Sequence, residues 1–456
     1  MKEPISRWGS LPPAAGVLVA VLVAFALRLI NLGERSFWTD EGYSAWLSAQ
    51  PIATILTDDP FHPPLYPLLL KGWTALGPWF DSDAGRRLPS ALAGALVVGV
   101  GAATVRALAL PGAGLAAALL ATSALGVWYS QEQRSVALTA LLVSVAAAAL
   151  AGIGARLRCQ PAHTPPPGLL VSYGLAALMA CYLHYGAIPL LALLNLLFLI
   201  AVRPRGPALR AWLLTTALIL VLAFPLLPLL ARALDEAAGH RFAERALLLF
   251  LPGLAAGTGV LLGVGWLSRH HSALARPLAG AAALAFILAL DASMLTLAGN
   301  SVKRHLALVA PLALAAAAVA LARWRPLLGW AAVAAGLPAL GLVVFVHPKE
   351  EWRPVAALLH QQEQPGDMLL LYQGYEGILL RRYYHGSLPI MGFDEGEDPA
   401  LAHERTASAR RVWLVEVNPT VPPSLVPTLE RQRPRLASWS FYRIAVVLFG
   451  EAASSG

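Results

Sequence analysis

The sequence predicts a polytopic α-helical membrane protein with a C-terminal α/β domain. Of its 456 residues, 57% are hydrophobic and only 13% are charged, and the mean hydropathy is +0.61. Soluble domains contain roughly 25% charged residues, so the composition excludes an ordinary soluble protein. Apolar segments recur up to residue 346, and the composition becomes polar from His347 onward.

The apolar segments define the predicted membrane helices. A spanning helix needs about 20 apolar residues, and about eleven segments meet that requirement. We place them near 13–31, 88–108, 112–129, 136–155, 168–184, 186–202, 211–231, 247–267, 277–298, 306–322 and 327–346. The first segment ends in Arg28 and Asn31 and lacks a small-residue cleavage pattern, which indicates a retained helix and not a signal peptide.

The charges of the loops predict the orientation. Basic residues fall in alternate loops, which the positive-inside rule places in the cytoplasm: Arg106, Arg156, Arg158, Arg203, Arg205, Arg210, Arg269, Arg276, Arg323 and Arg325. Acidic residues fall on the other face: Glu34, Asp40, Glu41, Asp58, Asp59, Asp81, Asp83, Glu132, Asp235, Glu236 and Glu244. We therefore expect a multi-pass protein of the cytoplasmic (inner) membrane, with its N-terminus inside and its C-terminal domain outside.

The net charge of +8 does not indicate a nucleic-acid partner, because the basic residues are spread over short loops. The lipid bilayer is the expected partner of this chain. The two cysteines, Cys159 and Cys181, have no metal-site spacing, and a disulfide between a cytoplasmic loop and an apolar segment is not expected.

The first outer loop, 32–87, contains two adjacent carboxylates, Asp40 and Glu41, beside Phe37, Trp38 and Tyr43. At a membrane surface, among aromatic residues that favour the headgroup zone, this pair suggests chemistry on a lipid-linked molecule. Alternatively, Thr39 caps a helix and the acids complement its dipole. The two interpretations are compatible, since adjacent helical residues point about 100° apart.

Two further regions are predicted by local pattern. The segment 61–73 is apolar and aromatic but too short to span, which favours an interfacial helix entered through prolines. The C-terminal domain, 347–456, shows strand patterns at 368–372, 412–417 and 444–449, and helical patterns near 352–362, 375–384 and 424–433. The domain division is therefore 1–346 and 347–456.

Four outer-face segments hold the residues that could carry chemistry: Asp40-Glu41, His62-Pro63-Pro64-Leu65-Tyr66, the hairpin 129–134 with Glu132 and Arg134, and Lys303-Arg304-His305. A carboxylate can accept a proton from an incoming hydroxyl, and clustered cations can stabilise departing phosphate oxygens. Such a set suits displacement of a phosphate-bearing leaving group.

Several of these residues, and two further polar sites outside the four segments, have a structural alternative. His62 could cap a turn before its prolines, and Glu132 with Arg134 could form a solvated hairpin. His184-Tyr185, between two spans, fits packing better than function. Asp291 lies inside an apolar span, where ionisable groups are often functional, although it could pair with a neighbouring polar group.

The residues 37–43, Phe-Trp-Thr-Asp-Glu-Gly-Tyr, resemble the Asp-Glu motif of GT-C glycosyltransferases of the protein O-mannosyltransferase type (glycosyltransferase family 39), which includes the lipid A aminoarabinose transferases. The segment 62–66 is similar to the His-Pro-Pro-Leu-Tyr hallmark of the same group. The segments 131–138 and 304–306 resemble two later motifs, with departures at Val136 and His305, where relatives have aromatic residues.

The resemblance implies a GT-C fold and an enzyme that transfers a sugar from a polyprenyl-phosphate donor to an acceptor hydroxyl of a protein, lipid or glycan, usually with inversion. By position, Asp40 would be the general base, with Glu41 in the catalytic set. It implies these substrate-binding residues: His62, Tyr66, Glu132, Arg134, Lys303, Arg304 and His305. A divalent cation (Mg, Mn or Zn) is a candidate cofactor, with Asp40, Glu41 and His62 as its candidate ligands.

Three other functions remain open on the sequence. A transporter or flippase of lipid-linked sugars would also be polytopic, although inverted repeats and broken helices are more typical of it than a large outer loop. A non-catalytic membrane scaffold would need no turnover. An O-antigen ligase or polymerase would usually have its charged loop late in the chain.

Overall fold

The computed structural model describes residues 13–57, 59–160, 163–239, 275–295, 300–394, 396–418 and 424–452. The predicted helix at 247–267, together with Asp58, Glu244 and Arg269, lies outside them. The chain divides into two compact units: a membrane unit of Met1–Leu32 with Gln50–Val346, and a terminal unit of Gly33–Ala49 with His347–Gly456.

The membrane unit is helical throughout its described part. Its longer helices are Pro13–Leu29, Asp83–Ala107, Ala113–Thr122, Ala124–Ser130, Val136–Cys159, Pro167–Leu183, Ala187–Val202, Gly206–Ala223, Leu227–Gly239, Ala275–Leu295, Asn300–Trp324 and Pro326–Gly341. Within the described residues, six helices are long and apolar enough to cross a membrane, or seven if one bent pair is a single span, and three apolar helices are shorter. The chain is therefore a multi-pass membrane protein, and the total of about eleven spans stays a prediction.

The Asp83–Ala107 helix starts five residues before the apolar segment that predicts it. Ser82 caps its start, because the Ser82 hydroxyl accepts a hydrogen bond from the Gly85 amide at 3.1 Å. The added turn is polar and yet buried, with Arg86 and Arg87 only 6% and 1% exposed. Apolar periodicity cannot reveal such a turn, because its charges are satisfied inside the protein.

The segment predicted as one span near 112–129 is two helices, Ala113–Thr122 and Ala124–Ser130, which meet at Ser123 at an angle of 56°. The Ser123 hydroxyl accepts a hydrogen bond from the Gly126 amide and so caps the second helix. The break frees carbonyl groups at the end of the first helix, which need partners inside a membrane protein.

Three short helices, Ile52–Thr57, Leu65–Thr74 and Pro78–Asp81, follow the start of the first outer loop. The helix predicted at 61–73 is the second of these, entered at Pro64. It buries Tyr66 and Leu70 against Leu183.

The terminal unit contains a five-stranded sheet with strand order β2-β1-β3-β5-β4. The strands are β1 Asp367–Tyr372, β2 Ile390–Phe393, β3 Arg411–Val417, β4 Arg435–Phe441 and β5 Ile444–Phe449. Strands β2 and β3 pair in parallel with β1, whereas β5 pairs antiparallel with β3 and β4. The sequence predicts β1, β3 and β5, the three central strands.

The two strands that the sequence pattern misses lie at the edges of the sheet. Strand β2 has four residues, and β4 shows mostly exposed and half-buried positions. Edge strands bury less apolar surface and so give a weak pattern. The helices of the terminal unit are Thr39–Ala49, Trp352–Gln362, Gly377–Tyr383, Ala400–Thr406 and Val426–Glu430. The sequence pattern does not predict the helix Ala400–Thr406.

The Gly33–Ala49 segment packs into the terminal unit through Phe37. Phe37 is fully buried in a core that includes Trp352 and Trp413. Its amide donates a hydrogen bond to the Tyr383 hydroxyl at 2.7 Å, and the Arg382 guanidinium lies 4.5 Å from the centre of its ring. Residues separated by more than 300 positions in sequence therefore share one core.

Candidate functional site

The helix Thr39–Ala49 bears Asp40 and Glu41 in its first turn. The Trp38 carbonyl accepts hydrogen bonds from the amides of Glu41 and Gly42, which places Thr39 inside the helix and not at the capping position. Asp40 is half-buried and Glu41 is buried. The two neighbouring carboxyl groups thus have different environments, as their 100° separation on a helix permits.

Glu41 forms a buried ion pair. The Lys349 ammonium donates to Glu41 Oε2 at 3.1 Å, and the two side chains are 3% and 0% exposed. A buried charge is tolerated when it is paired. This pairing favours an anchoring role for Glu41 and leaves Asp40 as the more accessible carboxylate of the motif.

Two further carboxyl groups surround Thr39. The Thr39 amide donates to Glu350 Oε2 at 3.0 Å, and the Thr39 hydroxyl lies 2.6 Å from Glu376 Oε1 and 3.2 Å from Glu350 Oε1. Glu350 also accepts a hydrogen bond from the Trp352 indole at 3.2 Å. A glutamate from the far end of the chain therefore satisfies an amide at the start of the helix.

The environment of Glu376 favours its protonated form. Burial, and then the negative charges of Glu350 and Asp40, raise the pKa of Glu376 to about 8, against a hydrogen bond with Thr39 that lowers it. Burial likewise raises the pKa of Glu350 despite its hydrogen bonds with Trp352 and Thr39. At neutral pH a protonated Glu376 can donate to Thr39, and the Thr39 hydroxyl can donate to Glu350.

The membrane unit holds a second group of polar residues. His62 Nδ1 lies 2.8 Å from Asp59 Oδ2, and Arg134 Nη2 lies 3.1 Å from His62 Nε2. Burial tends to raise the pKa of Asp59, but hydrogen bonds from His62 and from the amides of Phe61 and His62 outweigh it and hold that pKa below its usual value. The carboxylate of Asp59, the imidazole of His62 and the guanidinium of Arg134 are therefore linked in series by these two contacts.

His184 and His305 extend this group. Their ring centres are 6.0 Å apart. Burial, and then the nearby charges of His305, Arg304, Arg134 and His62, hold the pKa of His184 well below its ordinary value. The membrane unit therefore gathers two arginines and three histidines from four separate parts of the sequence, which we call the cationic cluster: His62, Arg134, His184, Arg304 and His305.

The remaining predicted residues are buried or half-buried. Glu132 and Arg134 are only 1% and 6% exposed, which overturns the alternative of a solvated hairpin. Lys303 is 6% exposed near the start of its helix. Tyr66 packs with Leu70 and Leu183, and the Asp291 carboxylate lies against Gly336 of the helix Pro326–Gly341.

Sequence reasoning missed several of these residues. Asp59 precedes His62 by three positions, a local signal that could have been used. His184 was assigned to packing, although it lies close to the predicted Arg304 and His305. Glu350 and Glu376 gave no signal as partners of Thr39, because their contact depends on the folding of the terminal unit.

The described residues contain no ready-made site for the expected divalent metal. Throughout that part of the chain, no three His, Cys, Asp or Glu side chains are grouped so as to hold a metal ion. Among the expected ligands, Glu41 is paired with Lys349, and His62 bonds through both ring nitrogens. The divalent metal and its three candidate ligands therefore stay a prediction.

This chain is similar to known proteins in its structure and not detectably in its sequence. No family model matches the chain, and no curated protein matches its sequence. The structure of ArnT from Cupriavidus metallidurans in the apo state is similar at a TM-score of 0.50 and 17% identity, over 96% of this chain and 98% of that one. The Archaeoglobus fulgidus oligosaccharyltransferase in complex with Zn and sulfate is similar at a TM-score of 0.51 and 14% identity, over 96% of this chain and 73% of that one.

The chain has the GT-C fold. Both similar structures are GT-C glycosyltransferases, and one of them is an aminoarabinose transferase, a group that the sequence motifs resemble. The similarity thereby supports the predicted GT-C fold over nearly the whole chain, whereas the count of about eleven spans and the side of the membrane on which the terminal domain lies stay predictions. At these identities the likeness concerns the fold alone.

Proposed function

We propose that this GT-C protein is a glycosyltransferase that transfers a sugar from a polyprenyl-phosphate donor to an acceptor hydroxyl. The observation that carries the proposal is the cationic cluster, in which buried Arg134 contacts His62 and the charges of Arg134 and Arg304 both act on His184. Guanidinium groups bind phosphate oxygens with matched geometry. A transferase whose leaving group is a lipid phosphate needs such a set at the membrane.

In the proposed reaction, Asp40 accepts the proton of the acceptor hydroxyl as its oxygen attacks the anomeric carbon. The bond from that carbon to the phosphate oxygen breaks, and its electron pair leaves with the phosphate. Arg134, Arg304 and Lys303 stabilise the charge that develops on the departing oxygens. Attack opposite the leaving group inverts the anomeric centre.

The other predicted residues take supporting roles in this proposal. Glu41 anchors, through Lys349, the first turn of the helix Thr39–Ala49, which we call the motif helix. His62, His305 and Glu132 shape the donor-phosphate pocket, and Tyr66 holds the short helix on which it lies by packing on Leu183.

We further propose that the chain lies in the cytoplasmic membrane with 347–456 as an extracytoplasmic domain, as the loop charges indicate. The outer face lacks a nucleotide pool, which favours a lipid-phosphate sugar over a nucleotide sugar as the donor. The acceptor is a hydroxyl of a protein, lipid or glycan.

The test uses the purified full chain in nanodiscs with a panel of radiolabelled polyprenyl-phosphate sugars and follows release of polyprenyl phosphate. General-base catalysis contributes about 10²–10⁴-fold, so we expect Asp40→Asn to lower turnover at least about 100-fold. The matched control is Glu34→Gln, because Glu34 is an exposed acid shortly before the motif helix in the sequence. This variant should retain turnover.

The same labelled lipids, with the chain reconstituted into vesicles, separate the rival functions. A flippase would move the labelled lipid across vesicle membranes without releasing polyprenyl phosphate, and a scaffold would do neither. Equal turnover in wild type and Asp40→Asn would refute the role of Asp40.

A further inference from the structure

We propose that Asp59 is a positioning residue that selects the tautomer of His62 and thereby sets the direction of the Arg134 guanidinium. Its effect on catalysis rests on the proposed function, whereas its effect on the His62 ring does not. Asp59 is not part of any motif singled out in the sequence.

The Asp59 carboxylate is held firmly by the backbone. Its Oδ1 accepts hydrogen bonds from the amides of Phe61 at 2.8 Å and His62 at 3.3 Å. Its side chain is 2% exposed. These bonds aim the second oxygen, Oδ2, at His62 Nδ1, 2.8 Å away. The position of this oxygen is therefore set before any ligand arrives.

The second nitrogen of the ring has a partner that can only donate. Arg134 Nη2 lies 3.1 Å from His62 Nε2, and a guanidinium remains protonated and has no acceptor atom. His62 Nε2 must therefore accept, so the ring proton lies on Nδ1 and is donated to Asp59. The three residues form a hydrogen-bonded chain with a single direction.

A donor in place of the Asp59 acceptor would favour the reverse direction. The other tautomer places an N–H on Nε2, facing the N–H of Arg134, and two donors repel each other. Arg134 would then turn away from the position that the ring holds for it. A guanidinium binds a phosphate well only when its two N–H groups point at the phosphate oxygens. Asp59 would therefore affect binding of the sugar donor through His62 and Arg134, without contacting the donor itself.

The decisive substitution is Asp59→Asn. The Asn carbonyl can still accept from the two backbone amides, so the loop is retained, while its amide N–H groups face Nδ1 and favour the opposite tautomer. An equivalent replacement beneath a catalytic histidine is known to lower turnover through the wrong tautomer. The matched control is Glu236→Gln, because Glu236 is an exposed acid in the same unit.

The first arm is a double-mutant cycle of donor turnover with Asp59→Asn and His62→Gln. A glutamine carbonyl can accept from Arg134 without any tautomer to select. We expect Asp59→Asn to lower turnover at least about tenfold in the wild-type background and less than about twofold in the His62→Gln background. An equal loss in both backgrounds would overturn the proposal, because Asp59 would then act by another route.

The second arm requires no activity. Nitrogen-15 NMR of histidine-labelled protein in nanodiscs reports the protonated nitrogen of each ring, and the signals that disappear in His62→Gln assign His62. We expect a proton on Nδ1 in wild type and in Glu236→Gln, and on Nε2 in Asp59→Asn. The same tautomer in wild type and Asp59→Asn would refute the inference. Absence of turnover in wild type would count against the proposed function alone.

Discussion

Glu41 and Glu376 are both buried in the terminal unit, yet their surroundings have opposite charge. Glu41 lies beside the Lys349 ammonium, whereas Glu376 faces Glu350 and the Thr39 hydroxyl. A buried acid beside a cation is stabilised as the anion, and one beside another acid is stabilised as the neutral form. Both contacts converge on the first turn of the motif helix.

We expect Lys349→Met to lower the stability of the protein by about 3–5 kcal/mol, because it leaves the Glu41 charge buried without its cation. The double variant Glu41→Gln with Lys349→Met should recover most of the loss. Thermal unfolding of the full chain in detergent measures both. Arg435→Met, which breaks an exposed pair with Glu430, is the control and should cost less than about 1 kcal/mol. A double variant as unstable as the single one would contradict the account.

Glu376 predicts a pH dependence of stability. Its pKa is about 8 in the folded protein and 4.5 in its ordinary state, so unfolding between these values releases a proton. Stability therefore falls as the pH rises through this range, by up to about 1.4 kcal/mol per pH unit for one proton. Glu376→Gln should flatten the curve of unfolding temperature against pH, while the exposed control Glu404→Gln should retain it. Parallel curves for wild type and Glu376→Gln would show that Glu376 does not hold this proton.

The break between Ala113–Thr122 and Ala124–Ser130 is the clearest case where one element depends on another. Arg28 of the first helix donates to the carbonyls of Leu120 and Ala121, both at 3.4 Å, and to the Ser130 hydroxyl at 3.1 Å. It therefore links both halves of the bent pair. Carbonyl groups without partners are costly within a membrane, which accounts for a buried arginine at this place.

Gly94 lets the neighbouring helix approach this link closely. A methyl group at Gly94 would overlap with the Ser130 hydroxyl and lie 2.8 Å from Arg28 Nε. We expect Gly94→Ala to destabilise the protein by about 1–3 kcal/mol, as overpacking does. Gly72→Ala is the matched control: apart from its chain neighbours and its own helix backbone, no atom lies within 4 Å of the added carbon, so this change should be neutral or stabilising. Thermal unfolding in detergent compares them, and equal effects would argue against the close packing at Gly94.

On the scale of the whole molecule, the terminal unit is assembled from two distant parts of the chain. Gly33–Ala49, with the Asp-Glu motif, shares a unit with His347–Gly456. Lys349, Glu350 and Glu376 all contact the start of the motif helix. The C-terminal region therefore holds in place the first turn of the helix that bears Asp40, the proposed general base.

A variant that ends after Val346 should insert into membranes and lack turnover of polyprenyl-phosphate sugar, because the motif helix loses its partners. Membrane fractionation and size-exclusion chromatography in detergent measure insertion and folding, and release of polyprenyl phosphate measures activity. Full turnover by a well-folded truncated chain would show that the C-terminal residues do not support Asp40.

The sequence by itself determined the local elements and the motifs. Apolar runs and period-two patterns depend on neighbours along the chain, so most helices of the membrane unit and strands β1, β3 and β5 were predicted close to their observed bounds. The resemblance at 37–43 and 62–66 likewise predicted the GT-C fold. The edge strands β2 and β4 were missed because their exposed positions leave little pattern.

Only the tertiary structure decided which charged groups meet. Lys349 pairs with Glu41, Arg28 holds the ends of a broken helix, and Arg134 meets His62 and Asp59. The members of these sets come from distant parts of the chain, and a charge in a sequence looks the same whether solvent or a buried partner satisfies it. Their contacts arise from helix packing and from the assembly of the terminal unit, which no local pattern of residues encodes.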